Sequence, residues 1–311
     1  MSVIEIDRKL SGLKLGTPQR CHGLTVFPLI ETEAPSDDCL TLDEALERGL
    51  AVITEVSEGG SVPELRFRNQ GDKPVLLLDG EELIGSKQNR ILNLSILVRA
   101  HSEIVIPVSC VEAGRWAWRS RSSGSSNRAI YSKLRSRKMA QVSEGLRKSG
   151  LRRASQTDIW DDIAAKAHRM QAFSDTGASG ALYERYREEL DEFILDLKPA
   201  IDQVGAVFIV AGQLAGVEIL RSPRLFALML PKILRSFGLD ALEDAVHGET
   251  AAEAPADLTG LLASLSVAST GRYPALGLGE DIRLEGEKVI GAALAEGGSV
   301  VHLAAFAREW A

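Results

Sequence analysis

The chain has 311 residues, 45% of them hydrophobic and 25% charged, which supplies apolar surface for a core and excludes a wholly disordered protein. Its 36 lysines and arginines stand against 43 aspartates and glutamates, a net charge of −7 that as a whole excludes a nucleic-acid coat or a polybasic membrane binder. Cys21, Cys39 and Cys110 are too few for a disulfide framework. The start MSVIEIDRKLSG reads without a signal-peptide core, and no run reaches the roughly 18 apolar residues of a membrane helix, so a reduced, cytoplasmic protein is expected.

From residue 23 to 114 the signals are mostly β. GLTVFPLIET, AVITEVSEGG, KPVLLLDG and SEIVIPVSC are short apolar runs, and PELRFRNQGD alternates, with Leu65 and Phe67 on one face and Arg66 and Arg68 on the other. Thr41-Leu-Asp-Glu44 fits a capping box, with Gly49 where the helix it opens would end. SRSSGSSNR (120–128) reads as a loop from its composition. Helices are predicted over 129–147, 157–172 and 181–197, the last ended by Pro199.

GAVFIVAGQLAGVEIL predicts two strands around a tight turn, and Ser222-Pro223 opens an apolar helix with a kink near Pro231. GETAAEAPAD reads as a surface linker before a helix over 255–268, and KVIGAALAEGGSVVHLAAFA as a closing hairpin turning at Gly297-Gly298. VLLLDGEELIG and VFIVAGQLAG echo one another, as a duplication or as two unrelated hairpins. Strands and helices cluster instead of alternating, so the fold class is α+β: a β-rich part (23–114), a helical basic part (115–204) and a mixed part (205–311), forming one domain behind an extension over 1–22.

The densest polar signal is LLLDGEELIGSKQNRILNLSILV. Glu81 and Glu82 suit acid–base work, a metal or ribose hydroxyls; Lys87 and Arg90 suit phosphate; Gln88 and Asn89 suit a base or amide edge. Within 91–98, read as one strand, Leu92, Leu94, Ile96 and Val98 share a face, and Asn93 and Ser95 share the other with Ile91 and Leu97, as in a partly wet pocket. The bland alternative is a hairpin with solvated ion pairs. In IVIPVSCVEAGRW, Cys110 falls on the core face of a strand, while Glu112, Arg115 and Trp116 leave the strand end for a loop. Either Trp116 or Trp118 covers the core edge or stacks on a ring.

Residues 115–153 hold twelve cations and one acid, Glu144, a local balance of +11 that leaves −18 on the remainder. Three readings stay open: a wall for an anionic ligand, a nucleic-acid surface, or a helix paired with the acidic remainder. Sparse aromatic interleaving argues against nucleic acid. No dinucleotide, Walker, nucleophile-elbow or zincin motif appears, and the five histidines lack metal-ligand spacing.

LDGEELIGSKQNR, the following ILNLSILV, IPVSCVEAGRW, QTDIW (156–160) and GAVFIVAGQLAGVEIL together resemble the ADP-ribosylglycohydrolase- and rhodanese-phosphatase-associated protein domain family, a bacterial domain of unknown function. The resemblance spans about residues 20–300. It implies NAD or ADP-ribose metabolism and carries over no catalytic residue or cofactor. The expectation is a pocket for a phosphorylated, nucleotide-derived ligand. Glu81, Lys87, Gln88, Asn89, Arg90, Asn93, Arg115 and Trp116 would contact it, and Glu82 or Glu112 would act as base if the chain is a hydrolase or transferase. No metal site and no membrane contact are expected, and the oligomeric state stays open. The alternatives are a protein-interaction domain docking through 115–153, nucleic-acid binding, or thiol chemistry at Cys110.

Overall fold

The computed structural model describes residues 4–35, 38–246 and 258–310. Three sheets organise them. Six strands close into a barrel in the order Ser102–Cys110, Glu64–Asn69, Ala51–Glu55, Ser123–Ala129, Glu81–Gly85 and Arg90–Leu92, the last pairing back with the first. A small sheet pairs Ile96–Val98 with Val75–Leu77 and Leu40–Thr41. The third, nine-stranded sheet carries Gln203–Val210, Gln213–Leu220, Ser299–Ala307 and Val289–Glu296 side by side. The α+β class follows directly.

The alternating sequence sets the barrel interior: Leu65 and Phe67 point in and meet Ile53, Leu83, Leu92, Ile106 and Val108. In the large sheet Gln203–Val210 is buried at every position, because both faces are covered. Phe208 and Val210 face the helix Pro223–Val246, while Val207 and Ile209 face the helix Leu258–Val267. Pro223–Val246 also touches the barrel strand Ser123–Ala129, so this long helix is wedged between sheet and barrel. The Thr41 capping box is present, with Glu44 N–H donating to Thr41 Oγ1 and Thr41 N–H to the Glu44 carboxylate. Ser299–Ala307 closes a hairpin whose turn residues, Gly297 and Gly298, both have positive φ.

Two strand expectations are corrected. SRSSGSSNR is not a loop throughout: Ser123–Ala129 is a barrel strand paired with Glu81–Gly85. Its serines and glycine have no strand propensity of their own, and the closed barrel supplies partners on both sides. Residues 91–98 are not one strand, since Arg90–Leu92 belongs to the barrel and Ile96–Val98 to the small sheet, with a break over 93–95. The predicted faces survive the break: Leu92, Leu94, Ile96 and Val98 lie in one core cluster, Ile91 and Leu97 in another.

Gln203–Val210 and Gln213–Leu220 form the predicted hairpin, whereas Val75–Leu77 and Glu81–Gly85 lie in different sheets, so the sequence echo marks no repeated unit. The helix predicted over 181–197 is two helices, Gly180–Arg185 and Arg187–Asp196. The proposed linker over 248–257 lies outside the described residues, and so does the start of the helix predicted over 255–268. No helix among the described residues is long and apolar enough to cross a membrane.

Candidate functional site at one end of the barrel

Asp79, Glu81 and Glu82 sit at the entry to the barrel hairpin, and each takes a cation from a different element. Asp79 pairs with Lys138 and Arg135 of the helix Ser132–Ser149. Burial raises its pKa, but those two cations outweigh burial and hold the carboxyl below the usual range. Gly80 is required here: with φ at +77°, a Cβ would lie 2.8 Å from Arg135 Cδ. Glu81 meets Lys232, the residue after the in-helix Pro231, and Lys232 also binds Asp43 at 2.7 Å and Ser125 Oγ at 3.1 Å. Burial, reinforced by Asp43, raises the Glu81 pKa. Lys232, caught between two carboxylates that outweigh its own burial, is held charged. Glu82 pairs with Arg128 and accepts from Ser179 Oγ at 3.2 Å.

The second half of the motif meets the 112–116 segment. Glu112 Oε2 accepts from the Asn89 amide at 3.1 Å and from Arg115 Nη2 at 2.6 Å, while Oε1 accepts from Thr176 Oγ1 at 3.0 Å. Burial works to raise the Glu112 pKa, but these donors outweigh it and hold the carboxyl below its ordinary value. Gln88 Nε2 donates to the Glu112 carbonyl at 3.2 Å. Arg115 also donates to Asn89 Oδ1 at 3.1 Å and to the Ser86 carbonyl at 3.0 Å. The two stretches separated in sequence therefore converge.

Lys87 and Arg90 turn toward the 56–62 loop. Lys87 Nζ donates to the carbonyls of Glu58 and Gly59 at 2.7 and 2.8 Å, and Arg90 Nε to that of Val62 at 3.0 Å. The Lys87 ammonium lies 5.3 Å from the Trp116 ring and 5.1 Å from the Trp118 ring; the Arg90 guanidinium is 5.5 Å from Trp116. Trp116 and Trp118 remain 46% and 39% exposed, and neither belongs to a core cluster among the described residues. In the turn and the adjoining loop, Gln88 Oε1, Arg90 Nη1 and Arg115 Nε are buried without a hydrogen-bond partner, although Arg90 and Arg115 are ion-paired through their other nitrogens.

Asn93 stands apart from this group, donating to the Arg152 carbonyl at 3.0 Å and accepting from Ser109 Oγ at 2.7 Å. Glu81 and Glu82 likewise face other elements. Cys110 is fully buried, and burial raises its thiol pKa, the reverse of what a reactive thiolate needs. Lys232, Asp43, Thr176 and Ser179 carry no local signal for the places they occupy, because each reaches the motif from a distant part of the chain.

Of the twelve cations in 115–153, all but Arg119 form an ion pair with an acid. Arg119 is exposed and has no ion-pair partner among the described residues. The basic segment is thus neutralised within the molecule, and two of its members, Arg135 and Lys138, are fully buried instead of lying on a solvated face.

No curated protein and no solved structure matches the chain. A family model does: residues 12–306 match the ARG and Rhodanese-Phosphatase-superfamily-associated Protein domain, and the chain belongs to that family.

Proposed function

We propose that the protein binds a phosphorylated, nucleotide-derived ligand of the ADP-ribose class at the end of the barrel where the 85–90 turn and the 112–121 loop meet. One observation carries the reading: two part-exposed tryptophans lie against Lys87 and Arg90, where the turn and the 112–121 loop together hold three buried atoms without hydrogen-bond partners, Gln88 Oε1, Arg90 Nη1 and Arg115 Nε. Flat apolar rings accept a base or nicotinamide face, and unpartnered guanidinium and amide atoms suit phosphate and ribose oxygens. Arg119 adds a cation not committed to any acid among the described residues. The family description supports the ligand class, with ARG read as ADP-ribosylglycohydrolase.

In this reading Glu112 and Glu82, the acid–base candidates, orient Arg115 and Arg128. Glu112, with three donors and a lowered pKa, is a weak base and has no proton to give as an acid. Binding is therefore favoured over hydrolysis at this end of the barrel. Docking through the basic segment has lost its charge to internal pairs and is the weaker reading.

Titration with ADP-ribose, NAD and AMP, followed by tryptophan fluorescence and calorimetry, tests the proposal. The wild type is expected to bind at least ADP-ribose with quenching of its tryptophans. Trp116→Ala should weaken binding by about 1–3 kcal/mol if one base stacks there. Absence of binding by the wild type to all three would remove the proposal.

A further inference from the structure

Residues 93–95, the break in the expected strand, hold chemistry that the barrel-end site does not use. Ser95 is partly exposed, and its Oγ lies 2.8 Å from His302 Nδ1. The other ring nitrogen, His302 Nε2, lies 2.8 Å from Glu218 Oε2. Glu218 and His302 stand on neighbouring antiparallel strands in which Leu220 faces His302, so Glu218 is the diagonal neighbour on the same face. The imidazole and the carboxylate are both buried, and the serine is the member open to solvent.

Hydrogen-bond accounting fixes the direction of this chain. The Asp79 backbone N–H donates to Ser95 Oγ at 2.9 Å. Glu218 is ion-paired with Arg135 and only accepts, so in the neutral ring the proton sits on His302 Nε2 and is donated to Glu218, which leaves Nδ1 to accept from the Ser95 hydroxyl. A hydroxyl giving its proton to an imidazole, itself oriented by a carboxylate, is the arrangement that activates a serine nucleophile. Ser95 and His302 also line a cavity of about 10 Å³ together with Leu94, Met139 and Ala304. The cavity is at most the size of one water, so an ester reaches Ser95 only from the side on which the serine is exposed, which favours a small acyl group.

We propose that Ser95, His302 and Glu218 form a nucleophilic relay that hydrolyses carboxylic esters of a small acyl group such as acetyl, at a site that shares no residue with the barrel-end tryptophans and does not depend on that reading. Ser95 Oγ attacks the acyl carbon and forms an ester bond as the bond to the departing alkoxide breaks. The hydroxyl proton passes to His302 Nδ1 and on to the alkoxide, which leaves as the alcohol. Water then attacks the acyl-serine, gives a proton to His302 and releases the carboxylic acid, and His302 returns that proton to Ser95 Oγ. Glu218 touches no reacting atom; it is a positioning residue that holds the ring and favours its charged form.

The experiment uses the full chain and p-nitrophenyl acetate, following nitrophenolate release and locating the acetyl group by peptide mass. Transient acetylation of Ser95 is expected, abolished in Ser95→Ala and slowed about 10²–10⁴-fold in His302→Asn. Glu218→Gln should move the acidic limb of the acylation rate to lower pH, because loss of the carboxylate makes the imidazole less basic. The other charged groups around the ring, Asp79, Asp281, Arg283 and the Arg135 and Lys138 that pair with Glu218 and Asp79, are unchanged in that variant. Ser95→Cys keeps an acceptor for the Asp79 amide and should be alkylated by iodoacetamide in a His302-dependent way, which guards against a Ser95→Ala variant that fails to fold. Acetyl groups found only on amines, or a Ser95 acetylated as fast in His302→Asn as in the wild type, would overturn the proposal.

Discussion

Glu112 shows how one side chain can look catalytic in sequence and structural in place. Its carboxylate has a donor from Asn89, from Arg115 and from Thr176, and the net of burial against those donors is a lowered pKa. The stability it contributes is therefore present above the ordinary glutamate value of about 4.3 and is lost as pH falls through the lowered folded value. Urea midpoints measured across that acid range should fall less steeply with pH in Glu112→Gln than in the wild type; identical slopes would show that Glu112 is not a contributor. The residue type and its position after a strand end were legible in the sequence. Its three donors were not, because Thr176 lies on a remote loop and the Asn89 amide depends on how the barrel hairpin turns.

At the scale of elements, the 112–121 loop is held against the barrel turn by backbone closeness as much as by charge. Gly85 has φ at +116°, and a Cβ there would lie 2.5 Å from Ser120 Oγ and 2.9 Å from the Ser122 carbonyl. Gly85→Ala should cost about 1–3 kcal/mol from the backbone conformation alone. It should also push the loop off the turn, so its thermal midpoint should drop and its tryptophan emission should shift to the red. A variant with wild-type stability and emission would show that the loop does not rest on that turn. The helices Ser132–Ser149 and Gln156–Arg169 lie close to the ranges expected from sequence, since helix-forming signals are local. The strand Ser123–Ala129 was hidden because its pairing partners, Glu81–Gly85 and Ile53, decide it and its own composition does not.

For the whole molecule, the motif DGEE works as a tie between layers: Asp79 reaches one helix, Glu81 the long helix through Lys232, and Glu82 the segment at Arg128. Lys232 is fully buried with Glu81, and Asp43 completes the cluster. Lys232→Met removes the cation that these two carboxylates share among the described residues and should destabilise the fold by about 3–5 kcal/mol in denaturant titrations. A loss under about 1 kcal/mol would mean that the carboxylates protonate without consequence. The same pairing explains the basic segment. Twelve cations within residues 115–153 suggest a surface for an anionic partner, yet the charges of opposite sign that meet them are spread from Glu58 to Glu285.

The sequence by itself determined the α+β class, the capped helices, the shared face of Leu65 and Phe67, and the closing glycine hairpin, since each follows from propensity and periodicity within a few residues. Only the tertiary structure decided where the charges went. An ion pair or a Ser95–His302–Glu218 contact depends on distance in space, and the closure of the barrel against the large sheet brings together side chains that lie as many as 207 positions apart along the chain.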